Sequence, residues 1–467
     1  MWDDGNIKFL RMKKYVWLAV VVVIIYSGQS FFLSAGGIGA DSLSYFGIAS
    51  DFPKLITNLF PLGFPALIKV LHSVFQDYFW AAKVLNVLMV VGILLFSYFK
   101  QFYFKETVLL FTGKTLFFAL NLVSSEGPFI FLLYFLIYLF HEKFREKIKS
   151  GTFVLFASVL MVLLFTVRYS GIYIYLGIGL FWLLMVLRRK SLSVKSDLFK
   201  FLIASGIGIA GYLSFNYFTF GSFTGEHLRG APAHYYPVSI FRDLLGMTNV
   251  INPFIGLKPS SNSLFSLAFQ VGIMIVDIIL LGYLIKLYRS KKDLIAVEFH
   301  YLLWLMAGVY TIALFVSGLF QQIEEMNVRM LAAANFCIFF SFLLIYFKGL
   351  QSDRLIFRLG CFFLGFLTLY SLKSPDNYLK NKEQIAQQMP KFSAKKYLFD
   401  NEQNQKVTTT YHVPILKKSF QYQHTNAQRG FIKQSIAGTI NPSIKWLKYD
   451  TIPDKSLILY TSELVLE

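Results

Sequence analysis

The feature that most constrains the fold of this chain is a series of apolar runs that recurs through residues 1–372. Runs of about 17 to 25 apolar residues are long enough to cross a lipid bilayer as helices. Of the 467 residues, 55% are hydrophobic and only 15% are charged, whereas soluble domains carry about 25% charged residues. The sequence therefore predicts an all-α polytopic membrane protein. We expect eleven transmembrane helices, near residues 15–34, 79–99, 106–123, 126–140, 151–168, 171–187, 199–218, 264–287, 299–319, 328–347 and 356–372.

One boundary between these predicted spans has two interpretations. Ser124-Ser125-Glu126-Gly127-Pro128 interrupts a continuous apolar stretch between the third and the fourth span. Glycine and proline are strong interrupters of helices. A pair of short helices that meet at this interruption is therefore the alternative to two complete spans.

Lysine and arginine are distributed unevenly over the loops. The amino-terminal segment and the loops on its side hold 22 of them, and the loops on the opposite side hold seven. Because basic residues collect on the cytoplasmic side of membrane proteins, the amino terminus is predicted to be cytoplasmic. The net charge of +19 then reflects membrane topology, and no nucleic-acid partner is expected. The seven residues on the predicted outer side are Lys54, Lys69, Arg168, Arg229, Arg242, Lys258 and Arg329.

The last part of the chain is more polar than the rest. Residues 373–467 hold 14 lysine and arginine residues and eight aspartate and glutamate residues. Short alternating runs at residues 407–413 and 457–460 predict strands. We therefore expect two domains, a transmembrane domain of residues 1–372 and a small α+β domain of residues 373–467. An odd number of spans puts the second domain on the extracytoplasmic side.

An acidic residue follows the first predicted span. Asp41 lies in Ala40-Asp41-Ser42-Leu43-Ser44-Tyr45, on the predicted outer side. Aspartate is favoured at the start of a helix, so Asp41 can simply begin a short helix. The alternative is that it begins the helix and also takes part in chemistry. The loop up to Tyr78 is apolar, so we expect two short amphipathic helices along the membrane interface that hold Asp41 at a lipid-facing groove. Asp51 is a second carboxylate in this loop, for which an exposed helix end is the simpler explanation.

Three further charged residues lie on the predicted outer side. Glu126 precedes a Gly-Pro pair, a pattern that also suits a plain helix start. Arg168 lies at the outer end of the fifth span and Arg329 at the outer start of the tenth, on the side where basic residues are scarce. Arginine is the preferred planar ligand for phosphate oxygens. Ion pairs with neighbouring glutamates or with lipid head groups are the alternative.

The long outer loop 219–263 carries a group of polar and aromatic residues, which includes His227, Arg229, His234 and Tyr235. The two histidines lack the close spacing that zinc ligands show. We interpret the segment as a substrate loop that covers a groove and contacts a charged or sugar ligand. A solvated loop with aromatic residues anchored in the interface is the alternative.

Two charged residues fall inside predicted spans, Lys114 in the third and Asp277 in the eighth. Ionisable residues at such depth face the protein interior and often mark a transport path or a paired site. The sequence contains no Walker loop, no dinucleotide-binding fingerprint and no HExxH motif, so no nucleotide site is visible.

Six short motifs occur in a fixed order along residues 1–350. Their residues are 41–49, 60–68, 82–86 (Ala-Lys-Val-Leu-Asn), 125–128 (Ser-Glu-Gly-Pro), 168–171 (Arg-Tyr-Ser-Gly) and 327–331 (Asn-Val-Arg-Met-Leu). In this order they resemble the C-type superfamily (GT-C) of membrane glycosyltransferases, multi-span enzymes that use polyprenyl-phosphate-linked sugars. Dolichyl-phosphate-mannose and aminoarabinose transferases are examples. The polar tail also resembles the carboxy-terminal domain that many such enzymes carry.

The resemblance implies that Asp41 is the catalytic base and that a polyprenyl-phosphate sugar binds from the outer leaflet. Arg168, Arg329 and Arg229 would bind the donor phosphate, and a single displacement would invert the anomeric centre. The chain has Asp-Ser where the protein mannosyltransferase and aminoarabinose transferase branches have Asp-Glu. This departure leaves open the second acid, for which Glu126 and Asp51 are candidates, and any divalent metal.

The expected acceptor is a lipid, a glycan or a protein, and the expected location is a bacterial inner or plasma membrane. Two other functions stay open. An O-antigen-type polymerase or ligase would use a diphosphate-linked oligosaccharide. A lipid or solute transporter would do no covalent chemistry and would place Lys114 and Asp277 on its path, although the sequence shows no inverted repeat.

Overall fold

Helices account for most of the chain that the computed structural model describes. The described residues are 4–30, 40–55, 57–188, 192–226, 237–255, 264–321, 326–348 and 352–372, and three strands further on. The helices are α1 (Asp4–Gly28), α2 (Ala40–Asp51), α3 (Gly63–Phe75), α4 (Tyr78–Phe99), α5 (Phe104–Leu110), α6 (Lys114–Asn121), α7 (Glu126–Phe144), α8 (Ser150–Val167), α9 (Gly171–Leu187), α10 (Leu192–Phe220), α11 (Pro237–Met247), α12 (Leu264–Lys291), α13 (Val297–Gly318), α14 (Ala332–Phe347) and α15 (Arg354–Ser371).

Within these described ranges, seven helices are long and apolar enough to cross a membrane, namely α4, α7, α8, α10, α12, α13 and α15. The apolar helices α9 and α14 are shorter, with 17 and 16 residues. A helix of about 20 residues matches the thickness of the hydrocarbon core. The chain is therefore a multi-pass membrane protein, and the total of eleven spans stays a prediction.

The third predicted span is not a single helix, and the prediction of a continuous helix at 106–123 is wrong. It consists of α5, with seven residues, and α6, with eight. The backbone N–H of Lys114 donates to the carbonyl of Pro253 at 2.9 Å, and a Cβ added to Gly113 would lie 3.0 Å from the same oxygen. A loop from elsewhere in the chain thus packs into the break and satisfies backbone groups there, which makes an interrupted helix tolerable inside a membrane protein.

The predicted first outer loop does contain two short helices, α2 and α3. Tyr45, Phe46 and Ala49 of α2 are buried, so this helix packs into the protein. On α3, Val70 and Val74 are 67% and 71% exposed, while its other face is buried. An exposed apolar face suits contact with lipid. The interfacial position of both helices stays a prediction.

Ion pairs join helices at one end of the bundle. The Lys14 Nζ of α1 lies 2.5 Å from the carboxylate of Asp353, directly before α15. Lys143 of α7 pairs with Asp197 of α10, and Ser150 donates to the same carboxylate at 2.6 Å. The candidate site described below lies at the opposite end. By the charge pattern of the loops, the end with Lys14 and Lys143 is predicted to be cytoplasmic.

The intramembrane residues Lys114 and Asp277 are both buried and close enough to attract each other. Lys114 donates hydrogen bonds to the Oδ1 of Asn249 and to the backbone carbonyl of Ile255. The lysine therefore holds the loop that follows α11. A transport path along these two residues gains no support from this arrangement.

The three strands form an antiparallel sheet in the order β1 (Thr408–Val413), β2 (Lys418–His424), β3 (Ser462–Leu466). Thr408 pairs with Gln423, and Val413 pairs with Lys418. A strand therefore runs where the sequence predicts one at 407–413, whereas the one predicted at 457–460 lies outside the described residues. Most of residues 373–467 also lies outside them, so the domain boundary at 372 stays a prediction.

Candidate functional site

Four charged side chains from distant parts of the chain meet at one end of the bundle. Arg329 donates from Nη1 to the Oδ2 of Asp41 at 2.9 Å. Arg168 Nη1 lies 2.6 Å from the Oε1 of Glu126, and Arg329 Nε lies 3.4 Å from the same oxygen. The charges alternate in the order Asp41, Arg329, Glu126, Arg168. Opposite charges at these distances stabilise one another strongly where water is excluded.

The position of Asp41 is compatible with both interpretations of its sequence context, a helix start and a carboxylate that takes part in chemistry. It lies in the first turn of α2, where the helix dipole favours a negative charge. Its side chain is 38% exposed and reaches Arg329. Ser42, the next residue, donates from Oγ to the carbonyl of Val123 at 2.6 Å and anchors the start of α2. The helix start therefore also presents a carboxylate to the cavity.

Glu126 is the first residue of α7, and its side chain is only 5% exposed. It lies between the guanidinium groups of Arg168 and Arg329, which hold it as an anion. A carboxylate in such surroundings is a poor proton acceptor. We therefore interpret Glu126 as the group that holds the two arginines together.

Arg168 ends α8 in an extended backbone conformation, with φ −154° and ψ 124°. Its Nε donates to the Oγ of Ser170 at 3.0 Å, and its Nη1 donates to the Oγ of Ser125 at 3.3 Å. Burial disfavours the charged form of Arg168, but the Glu126 carboxylate together with Tyr310 and Tyr45 outweighs burial and raises the pKa of the guanidinium above its ordinary value. Arg168 is therefore a fixed, permanent cation.

Tyr45 supports the same corner from α2. Its hydroxyl donates to the Oγ of Ser125 at 3.1 Å. Burial, together with the carboxylates of Asp41 and Glu126, raises the pKa of Tyr45 well above its ordinary value. The phenol is therefore neutral and remains a hydrogen-bond donor at physiological pH.

The four charged residues line a cavity of about 480 Å³. This volume lies within the range of small-molecule binding sites, about 300 to 1,000 Å³. A lining that combines charged groups with aromatic side chains suits a ligand with an anionic group and an apolar or sugar part. The aromatic residues of the lining are Tyr45, Phe60, Phe165, Tyr169 and Tyr173.

The backbone that leads into α7 is packed without spare room. A Cβ added to Gly127 would lie 2.9 Å from the carbonyl oxygen of Ala119. Gly127→Ala is therefore expected to lower the free energy of unfolding by about 1 to 3 kcal/mol, because the backbone has to shift. We also expect lower activity, since Glu126 is the preceding residue.

The matched control for this change is Gly151→Ala in the first turn of α8. A Cβ added there meets nothing within 4 Å. Alanine is a better helix former than glycine by about 1 kcal/mol, so this variant should be as stable as the wild type or more stable. Detergent unfolding curves of the two variants measure the difference. Equal stability would contradict the close packing at Gly127.

Several predicted site residues lie outside the described residues, namely Arg229, His227, His234 and Tyr235 of the outer loop and the side chain of Asp51. The described start of that loop does reach the site, because Thr224 lines the cavity. Among the described residues, no group of three or more His, Cys, Asp or Glu side chains is placed to hold a metal ion.

Some cavity residues were not identified from the sequence. Ser125 and Ser170 each accept a hydrogen bond from Arg168. Both lie in the sequence motifs 125–128 and 168–171, so their position beside Glu126 and Arg168 was the only indication of a role. Ser170 also shares a hydrogen bond of 3.0 Å with the hydroxyl of Tyr310 on α13. The sequence around Tyr310 gives no indication of this contact, because the contact depends on how α9 and α13 pack.

A crystal structure of ArnT from Cupriavidus metallidurans bound to undecaprenyl phosphate is similar to this chain. The TM-score is 0.53, and the match covers 83% of each chain at 13% sequence identity. No family model and no curated protein matches the sequence. At this identity the similarity concerns the fold. The chain therefore shares its fold with this ArnT structure over most of its length.

Proposed function

We propose that this protein is a membrane glycosyltransferase that moves a sugar from a polyprenyl-phosphate donor to a hydroxyl group of a lipid, glycan or protein. The observation that carries the proposal is the meeting of Asp41, Arg168 and Arg329 around one cavity. The similarity to a structure that contains undecaprenyl phosphate supports this donor class.

The proposed reaction is a single displacement that inverts the anomeric centre. Asp41 accepts the proton of the acceptor hydroxyl while the oxygen of that hydroxyl bonds to the anomeric carbon. The bond from that carbon to the phosphate oxygen breaks, and the phosphate leaves with the electron pair. Arg168 and Arg329 balance the charge that develops on the leaving group. Arg229 of the outer loop is a third candidate for this role.

The ion pair between Asp41 and Arg329 suggests an order of binding. A carboxylate held by a guanidinium group is a weaker base than one without this neighbour. The donor phosphate would compete for Arg329 and leave Asp41 to the acceptor hydroxyl. We therefore expect the donor to bind before the acceptor, and Glu126 to keep both arginines in place during the exchange.

The site is proposed to face the extracytoplasmic side. The scarcity of basic residues in the loops at the site end supports this orientation. The donor would then enter from the outer leaflet, and residues 373–467 would form an extracytoplasmic domain. The amino terminus would be cytoplasmic.

The test uses purified protein and a panel of undecaprenyl-phosphate sugars labelled in the sugar, offered with membranes that lack this protein as the acceptor source. We expect transfer of label and release of undecaprenyl phosphate from one donor. Consumption only of a diphosphate-linked oligosaccharide would favour the polymerase or ligase. Movement of the donor across vesicles without chemical change would favour a transporter.

A further inference from the structure

Three consecutive backbone carbonyls at the end of α6 are each held by a side chain of another helix. Lys83 Nζ donates to the carbonyl of Asn121 at 2.6 Å, and Asn86 Nδ2 donates to that of Leu122 at 2.8 Å. Ser42 Oγ holds the third, that of Val123. The two α4 residues belong to the Ala-Lys-Val-Leu-Asn motif, to which the proposed reaction assigns no role.

The physical need for these bonds comes from the end of the helix. The last carbonyls of a helix have no partner within it, and in a membrane water cannot replace one. At Leu122 the chain turns to an extended conformation, with φ −83° and ψ 151°. Lys83 and Asn86 are three residues apart on α4, so they lie on the same face.

Burying the polar side chains of Lys83 and Asn86 costs free energy, which indicates that they have a role. Lys83 has no solvent exposure, and Asn86 is 1% exposed. Polar and ionisable residues inside a membrane are expensive and usually tied to function. An apolar residue could fill the same volume, but it could not bind the carbonyl of Asn121.

The segment that these residues hold leads directly into the candidate site. Ser125, which binds both Tyr45 and Arg168, lies two residues after Val123. Glu126 follows and contacts both arginines. A displacement of residues 121–125 would therefore move the carboxylate that sets the distance between Arg168 and Arg329.

We propose that Lys83 and Asn86 are positioning residues, which fix residues 121–125 and through Glu126 set the spacing of the phosphate-binding arginines. This inference rests on the proposed phosphate site. Neither residue takes part in the chemical step.

The experiment measures the Kd of undecaprenyl phosphate for full-length protein in detergent, together with the thermal unfolding midpoint without ligand. Lys83→Met and Asn86→Leu are each expected to raise the Kd about tenfold, the size of losing a hydrogen bond that aligns a charged group. Lys83→Arg keeps a donor for the Asn121 carbonyl and should recover most of the affinity. Lys100→Met removes an exposed lysine directly after the far end of α4 and should leave the Kd unchanged.

A double-mutant cycle separates positioning from general support of the fold. In a Glu126→Gln background, Lys83→Met should change the Kd less than about threefold, because the residue through which it acts has already been altered. A tenfold effect in both backgrounds, or a lower unfolding midpoint with an unchanged Kd, would overturn the inference. If the wild type itself does not bind undecaprenyl phosphate, the proposed function fails instead.

Discussion

Asp41→Asn is expected to lower the rate of sugar transfer by about 10³-fold, within the range of 10² to 10⁴ that general-base catalysis contributes. The carboxylate lines the cavity and accepts a hydrogen bond from Arg329 at 2.9 Å. An asparagine oxygen can accept the same hydrogen bond, so the fold and the place of Arg329 should be preserved. The amide cannot take the proton of an acceptor hydroxyl. The measurement is kcat with a sugar-labelled donor.

Binding of undecaprenyl phosphate distinguishes a lost base from a damaged site. The Asn variant loses a negative charge beside Arg329, so its Kd for this anion should be unchanged or lower. Asp293→Asn, which alters an exposed acid between α12 and α13, is the control and should leave both quantities unchanged. An Asp41→Asn protein that binds undecaprenyl phosphate and still transfers sugar at the wild-type rate would exclude Asp41 as the base.

The charged residues of the site could be predicted because each stands out locally. Asp41 and Glu126 are acids beside apolar runs, and Arg168 and Arg329 are basic on the side where basic residues are scarce. Their pairing could not be predicted. Asp41 and Arg329 are 288 residues apart in the chain, and only the packing of the helices brings them together.

The same contrast explains what the sequence misses in the fold. Phe111-Thr112-Gly113 looks like part of an apolar span, and the residue whose carbonyl accepts a hydrogen bond at the break, Pro253, lies far away in the chain. Lys83 and Asn86 belong to a recognisable motif, but their partners exist only because α6 ends where it does. Local composition identifies elements and unusual residues, whereas contacts between distant segments decide how these residues are used.

The contacts of Glu126 with distant residues also change the interpretation of this residue, which the sequence offers as a candidate second acid. From the sequence it is a carboxylate on the same side as Asp41. In the structure it is 5% exposed and lies between two guanidinium groups. This arrangement favours a role as the fixed counter-charge of the arginines. Variants of Glu126 and Arg168 should therefore distinguish the effect of this ion pair on stability from its effect on activity.

Arg168→Gln is expected to lower the free energy of unfolding by about 3 kcal/mol, because removing the nearer partner of a largely buried ion pair leaves the Glu126 carboxylate with Arg329 alone, at 3.4 Å. Arg168 and Glu126 are 20% and 5% exposed, and their atoms are 2.6 Å apart. The variant should also bind undecaprenyl phosphate about 100-fold more weakly and transfer almost no sugar, since it lacks one of the two cations proposed to bind the phosphate.

The double variant Arg168→Gln with Glu126→Gln removes both charges and is expected to regain most of the lost stability, since a buried ion pair can often be replaced by neutral groups at little cost. Affinity for undecaprenyl phosphate should stay low, because Arg168, the cation proposed to bind the phosphate, is still missing. Unfolding in mixed detergent micelles and equilibrium binding provide the two measurements. Recovery of affinity together with stability would mean that Arg168 serves only to neutralise Glu126, and the phosphate would then have to be bound without it.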